Sequence, residues 1–356
     1  MRRTQLVGGL VSAALLVAAP AASVMTTQAA DRSAPTQTTR DGAAKAGADK
    51  ADKAGKDGIR TVTRTTSRDE DVIGALKNVT RSTAWKKTAT LDLGFETHHP
   101  QGLEVTQDRI YLSSVEILEP TVRYPSPVDG YDRSAGKGVG HLFVLDRQGT
   151  LLKDIVLGEG DAYHPGGIDV DDEKVWVPVA EYRPNSHAII YSIDRDTLAV
   201  TKEFEEDDHI GGIVHDQSTN KLVGNTWGSR RFFEWTTKGR ELDRWLNPDH
   251  MLDYQDCEYA AVGHAICSGV TGLPPQPGAV TPYELGGLAL VSLRTGQLEH
   301  EVPVQLWSTA GHVVTRNPVD LDASGSHVTL FAAPDDGEEI AGTQLLTYEA
   351  DVTPLR

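Results

Sequence analysis

Three histidines of this chain recur in one local motif. His99-Pro100-Gln101-Gly102-Leu103-Glu104-Val105 matches His164-Pro165-Gly166-Gly167-Ile168-Asp169-Val170, and His209-Ile210-Gly211-Gly212-Ile213 is a third copy. Asn317-Pro318-Val319-Asp320-Leu321-Asp322 is a degenerate copy that keeps the proline and the apolar position. Aligning on the apolar pair that follows each copy sets Gln255 in the histidine column of a further repeat. With 12 histidines in 356 residues, three in a five-member column exceed chance. Three imidazoles in equivalent places form an open set for a divalent transition metal, zinc or manganese, with Gln255 as an oxygen ligand. The competing reading is structural: a duplicated turn motif whose ring bonds a neighbouring carbonyl.

Other residues depart from the repeat or share its register. Glu116 and Glu181 each lie five residues past the aromatic of their own repeat, Tyr111 or Trp176. Such paired carboxylates could act as general base or as extra ligands. Glu258 and Asp320 stand where sibling copies have Gly102, Gly167 and Gly212, so each is a candidate for proton transfer or ion binding. Asn225, Trp227 and Arg231 leave one strand together and offer a polar group, an aromatic platform and a bidentate carboxylate donor. Tyr163 and Tyr254 flank the column, and Asn317 belongs to it; all three are candidate substrate contacts. Cys257 and Cys267 are the only cysteines, and their places on adjacent predicted strands point to a disulfide.

These side chains need a scaffold that brings five repeats to one point. From Ser82 onward the chain reads as short runs such as Lys174-Val175-Trp176-Val177, separated by Gly, Asp, Asn and Pro turns. Each repeat carries a second strand pair after the first, such as Gly140–Leu145 with Leu151–Leu157 around Asp146-Arg147-Gln148-Gly149. Four antiparallel strands per repeat make a propeller blade. The repeat starts lie 65, 45, 46 and 62 residues apart, so two repeats hold insertions, near Ile117–Val139 and Val270–Leu285. Both insertions join the second and third strands, on the face where the histidine column opens. The last repeat has three strands, and Trp85–Leu93 supplies the fourth. The expectation is an all-β, five-bladed β-propeller over residues 82–356, closed by an N-terminal strand that removes open edges.

Upstream of the propeller the pattern changes. Arg2 and Arg3 precede an apolar run from Leu6 to Val24, and Thr27 and Ala29 fit a cleavage site, so residues 1–30 read as a signal peptide. Residues 31–70 hold hardly an apolar side chain larger than Ala and read as a disordered Ala/Lys/Gly/Thr-rich spacer. The mature protein is expected to be secreted, monomeric and free of the membrane. The net charge is −17, and residues 71–356 alone hold 23 basic against 44 acidic side chains. That balance argues against nucleic acid as a partner and for a small molecule or glycan.

The copies of His-Pro-x-Gly-Ile/Leu-x-Val resemble those of a family of exported bacterial β-propellers with no established function. The Gln101-Gly102-Leu103 step and the blade count are similar to plant-type glutaminyl cyclases. Gluconolactonase/strictosidine-synthase-like propellers share the blade style, usually with six blades. The resemblance implies the fold and export, and it transfers no catalytic residue. Propeller lyases acting on uronic-acid polysaccharides, some with a His/Gln-held metal, are an analogy of geometry. Two functions follow: a secreted hydrolase or lyase acting on an extracellular glycan or small molecule at the channel, or a non-catalytic propeller that binds a ligand or partner.

Overall fold

A computed structural model of the chain describes residues 66–275, 277, 283–337 and 342–353. The expected signal peptide, the spacer up to residue 65, and residues 276 and 278–282 of the second insertion lie outside the described residues. The described strands form five blades of antiparallel sheet. Blade 1 runs His99–Val105, Arg109–Glu119, Lys137–Asp146 and Leu151–Leu157. Blade 2 starts with a broken inner strand, Ala162–Pro165 and Asp169–Val170, followed by Lys174–Glu181, Ala188–Asp194 and Val200–Glu206. Blade 3 is Ile210–Asp216, Lys221–Thr226, Arg231–Thr236 and Glu241–Leu246. Blade 4 is Asp253–Ala261, His264–Leu273, Tyr283–Ser292 and Leu298–Val304.

Blade 5 joins the two ends of the fold. Its inner strands are Val319–Ser324, His327–Ala332 and Gln344–Asp351, and its outer strand is Lys86–Asp92, paired antiparallel with Gln344–Asp351. The closure expected from the missing strand is therefore present. The apolar core follows the same logic. Each of five buried clusters straddles one pair of neighbouring blades. Tyr111 and Leu142 meet Val177 and Ile189 between blades 1 and 2. Trp176 and Ile190 meet Leu222 and Trp235 between blades 2 and 3. Leu103 and Phe143 meet Phe331 and Leu345 where blade 1 adjoins blade 5. Alternating strand residues thus face adjacent sheets, and burial on both sides explains the near-continuous apolar runs.

Glycine in the repeat motif has a packing role. A Cβ on Gly167 would lie 2.5 Å from Asp256 Oδ1, and one on Gly166 would collide with the Gly211 carbonyl. The inner strands of blades 2 and 3 come close enough to form a parallel bridge, Gly167 to Gly212. Blade 2's inner strand is broken at this contact.

The first insertion folds into a hairpin, Arg123–Val128 and Tyr131–Arg133, around Asp129 and Gly130, both at positive φ. It leans over blade 2: Tyr163 donates its hydroxyl to the Ala135 carbonyl at 2.7 Å, and Arg183 lies 3.6 Å over the Tyr131 ring. In the second insertion the flanking strands simply lengthen, pairing as far as Leu273 and Tyr283.

One element departs from the sequence reading. Helix α1 spans Thr66–Leu76 and begins inside the segment read as a spacer. Val72, Ala75, Leu76 and Val79 recur at helical spacing and are buried against blades 4 and 5. Ion pairing of Lys77 with Glu299 at 3.1 Å fastens its end.

Candidate active site at the channel mouth

The inner strands all start at one end of the central channel, and the histidine column opens there. His99, His164, His209 and Gln255 line one cavity of about 220 Å³ with Gln101, Tyr182, Asn225, Trp227, Asp253 and Tyr254. A second cavity of about 760 Å³ shares His99 and Gln255 with it and continues past Asn317 to Tyr283 and Trp307. The column therefore converges as its spacing implied.

It does not converge on one coordination point. Among the described residues, the groups whose ligating atoms lie within 4.8 Å of one another are His98, Glu116, His141 and, separately, Glu104, Glu258, Asp320. The three column histidines are absent from both, because each ring is held by different surroundings. His99 Nδ1 donates to Asp336 Oδ1 at 2.5 Å. His209 Nδ1 donates to the Glu181 carbonyl at 2.8 Å. His164 stacks on Tyr182 with centroids 4.2 Å apart, and its Nε2 meets no partner. As placed, the rings fit a shared ligand of several atoms better than a single ion.

Their protonation states follow from burial. Desolvation, with His209 and His99 as neighbours, drives the His164 imidazole well below its ordinary value. Desolvation likewise lowers His209 to about 4, only partly offset by the Glu181 carbonyl, and Arg133 lowers it further. Both rings are neutral at pH 7. Asp336 is buried, which alone would raise its carboxyl; His99, Asn317 and Arg316 reverse that and hold it low. Asn317 Nδ2 donates to the same oxygen at 2.9 Å. Burial raises the Tyr182 phenol, so it keeps its proton at neutral pH.

Several expected site residues serve elsewhere. Glu116 and Glu181 do not line the cavity. Arg183 Nε donates to the Glu181 carboxylate at 2.5 Å, which occupies it, while its backbone carbonyl holds His209. Arg231 pairs with Asp208 at 3.7 Å and does not line the cavity. Guanidinium groups near the mouth are Arg133 of the hairpin, 4.8 Å over the Trp227 ring, and Arg316, which lines the larger cavity. Tyr163 is consumed by the hairpin contact, and burial raises its phenol to about 12. Glu258 and Asp320 lie deeper, where they accept the backbone N–H groups of Leu321 at 3.0 Å and Val105 at 2.8 Å. Cys257 and Cys267 form a disulfide across directly paired strand positions.

The site also holds residues that the repeat did not reveal. Tyr182 follows the second strand of blade 2, and Arg133 comes from the hairpin of blade 1. Asp336 follows the second strand of blade 5, far in sequence from His99. Below the mouth, the repeat also did not reveal Asp256, one residue after Gln255. The Leu103 and Ile168 amides donate to its two oxygens at 2.8 and 3.1 Å.

Fold and site define a closed five-bladed propeller whose polar channel mouth is lined by imidazoles and aromatic rings. The chain belongs to a family of unknown function (DUF6454), which matches residues 59–354. No curated protein matches it. Among solved structures, a tail fibre of a Staphylococcus aureus phage is similar at 10% identity and TM-score 0.45, over 79% of this chain and 55% of that one. A luciferin-regenerating enzyme is similar at 11% identity and TM-score 0.43, over 77% of this chain and 98% of that one. This chain spans only about half the length of the phage protein. No helix among the described residues is long and apolar enough to cross a membrane.

Proposed function

We propose that the channel mouth is the active site of a secreted lyase that cleaves a uronic-acid-containing glycan or a similar carboxylated sugar by β-elimination. The observation that carries this reading is the His99–Asp336 pair beside a protonated phenol in the same cavity. An imidazole whose Nδ1–H is fixed by a carboxylate presents Nε2 as a base. Elimination needs such a base for the carbon-bound proton and an acid for the departing oxygen, and Tyr182 fits the acid. Arg133 at the rim supplies positive charge for the sugar carboxylate, whose proton-losing carbon becomes more acidic when that group is neutralised. Hydrolysis is less well supported, because the carboxylate pair it would use, Glu116 and Glu181, does not line the cavity.

The larger cavity suits the rest of a chain. Tyr283 and Trp307 sit 5.8 Å apart at its wall, both partly exposed, and aromatic faces of this kind stack on sugar rings. The export pattern of residues 1–30 and the disulfide support action outside the cell. The test is incubation with oligouronates and neutral oligosaccharides, following the ultraviolet absorbance of an unsaturated product. Turnover confined to uronates, reduced about 10²-fold or more in His99→Ala with binding retained, is the expected result. Saturable binding without turnover would instead establish the non-catalytic propeller, and absence of both would overturn this reading.

A further inference from the structure

Beside the channel, blade 1 gathers a second set of potential ligands. His98 precedes the inner strand, Glu116 lies on the second strand and His141 on the third. Their ligating atoms lie within 4.8 Å of one another. We propose that His98, Glu116 and His141 bind one divalent transition-metal ion of the zinc class, at a site separate from the histidine column.

The hydrogen bonding of His141 argues for this. Its Nδ1 meets Asp154 Oδ1 at 2.9 Å, and a carboxylate can only accept there, so the proton sits on Nδ1. The lone pair is then on Nε2, which is buried and meets no partner. His141 as a whole is only 7% exposed. A buried basic nitrogen without a donor is costly, and a cation is the partner that suits it. A carboxylate behind a histidine is also the arrangement that orients metal-binding imidazoles and increases their basicity. The His98 ring lies nearly parallel to the His141 ring, with centroids 5.2 Å apart. His98 is itself held at φ 56°, a conformation uncommon for a residue with a side chain.

Two imidazoles and one carboxylate are the donor set of open zinc-type sites, whose ligand bonds of about 2.0–2.2 Å place ligand atoms roughly 3.3–3.6 Å apart. Modest side-chain adjustment brings the three atoms to that spacing. The arrangement leaves at least one position open, for water or for a group of a bound molecule. No other group among the described residues has this donor set, and the corresponding positions on blade 2 are Tyr163, Glu181 and Ile189.

The test uses the full chain, stripped with a chelator and titrated with zinc chloride by calorimetry. Titration with cobalt(II) reports nitrogen and oxygen ligation through its visible absorption. The expected result is one equivalent bound, with affinity reduced at least 100-fold in His141→Ala and about 10–100-fold in Asp154→Asn. Glu116→Gln, at a partly exposed position, provides a second loss-of-binding variant whose fold is checked by circular dichroism. His164→Ala should bind zinc as the wild type does. Absence of stoichiometric binding overturns the proposal. So does binding that survives both His141→Ala and Glu116→Gln, or binding that is lost in His164→Ala, which would return the ion to the channel column.

Discussion

The same five inner strands build both the mouth and the interior of the channel, and the two depths use polar side chains in opposite ways. At the mouth, His164 and His209 are neutral, and the former leaves a ring nitrogen without a partner. Further along the strands, carboxylates take over. Asp256 accepts the amides of Leu103 in blade 1 and Ile168 in blade 2. Asp169 accepts those of His215 in blade 3 and Tyr259 in blade 4, at 2.7 and 2.9 Å. These innermost amides face the axis, where no further strand can pair with them. Carboxylates supply the missing acceptors and tie non-adjacent blades across the channel. The interior therefore serves the ring's stability, whereas the mouth leaves the His164 ring nitrogen without a partner.

The largest effect that would break this comparison is expected at Asp256. Replacing it with Ala leaves two buried amides without acceptors, and each costs about 1–3 kcal/mol. Asp256→Ala should therefore lose roughly 2–4 kcal/mol in urea unfolding, allowing for relief of the buried charge. His164→Ala should change stability by no more than about 1 kcal/mol, because water can enter the mouth. Equal losses from the two variants would show that mouth and interior are not distinct.

The two depths should also respond to acid with opposite slopes. His209 is held at about 4 against an ordinary 6.5, so between those values the unfolded chain binds the extra proton. Its contribution is complete above 6.5 and is lost as pH falls toward 4, by at most about 3 kcal/mol. Asp169 is raised by burial from 3.8 to about 6, so there the native state holds the extra proton. Its contribution declines as pH rises from 3.8 to 6, opposing the histidine over most of the same range. His209→Gln should flatten the acid loss of stability, and Asp169→Asn should steepen it. Urea midpoints at pH 4, 5 and 6.5 measure both, and changes of slope in the same direction in the two variants, relative to wild type, would refute the assignment.

How much of this was legible in the sequence depends on what positions each residue. The blades, their count and the closing strand follow from repeats and turn chemistry, which are local. The convergence of His99, His164, His209 and Gln255 follows from symmetry, since equivalent positions of a ring must face one axis. Asp336 and Arg133 obey neither rule. They arrive from a connection in blade 5 and a hairpin in blade 1, through contacts made only in the closed ring. The histidines' spacing was unreadable for the same reason: equivalent backbone positions do not fix where differently bonded rings point. Helix α1 was missed because its buried apolar face, Val72, Ala75 and Leu76, is short and its charged sequence resembles the spacer before it.

The smallest predicted effect concerns the hairpin's reach to the mouth. Arg133 is bound by Asp132 through two hydrogen bonds of 2.8 and 2.9 Å, and only 12% of its side chain is exposed. Asp132 offsets much of its charge, so what remains for a ligand is a fraction of a free guanidinium. The Trp227 face beneath it keeps the group from turning away. Arg133→Ala should therefore weaken binding of an oligouronate only about 5–10-fold, with the loss shrinking as salt is raised. A neutral oligosaccharide should bind the variant and the wild type alike. Isothermal titration with both ligands at two salt concentrations separates the charge from the packing. Equal weakening for the two ligands would mean that Arg133 shapes the Trp227 wall and contributes no charge selectivity.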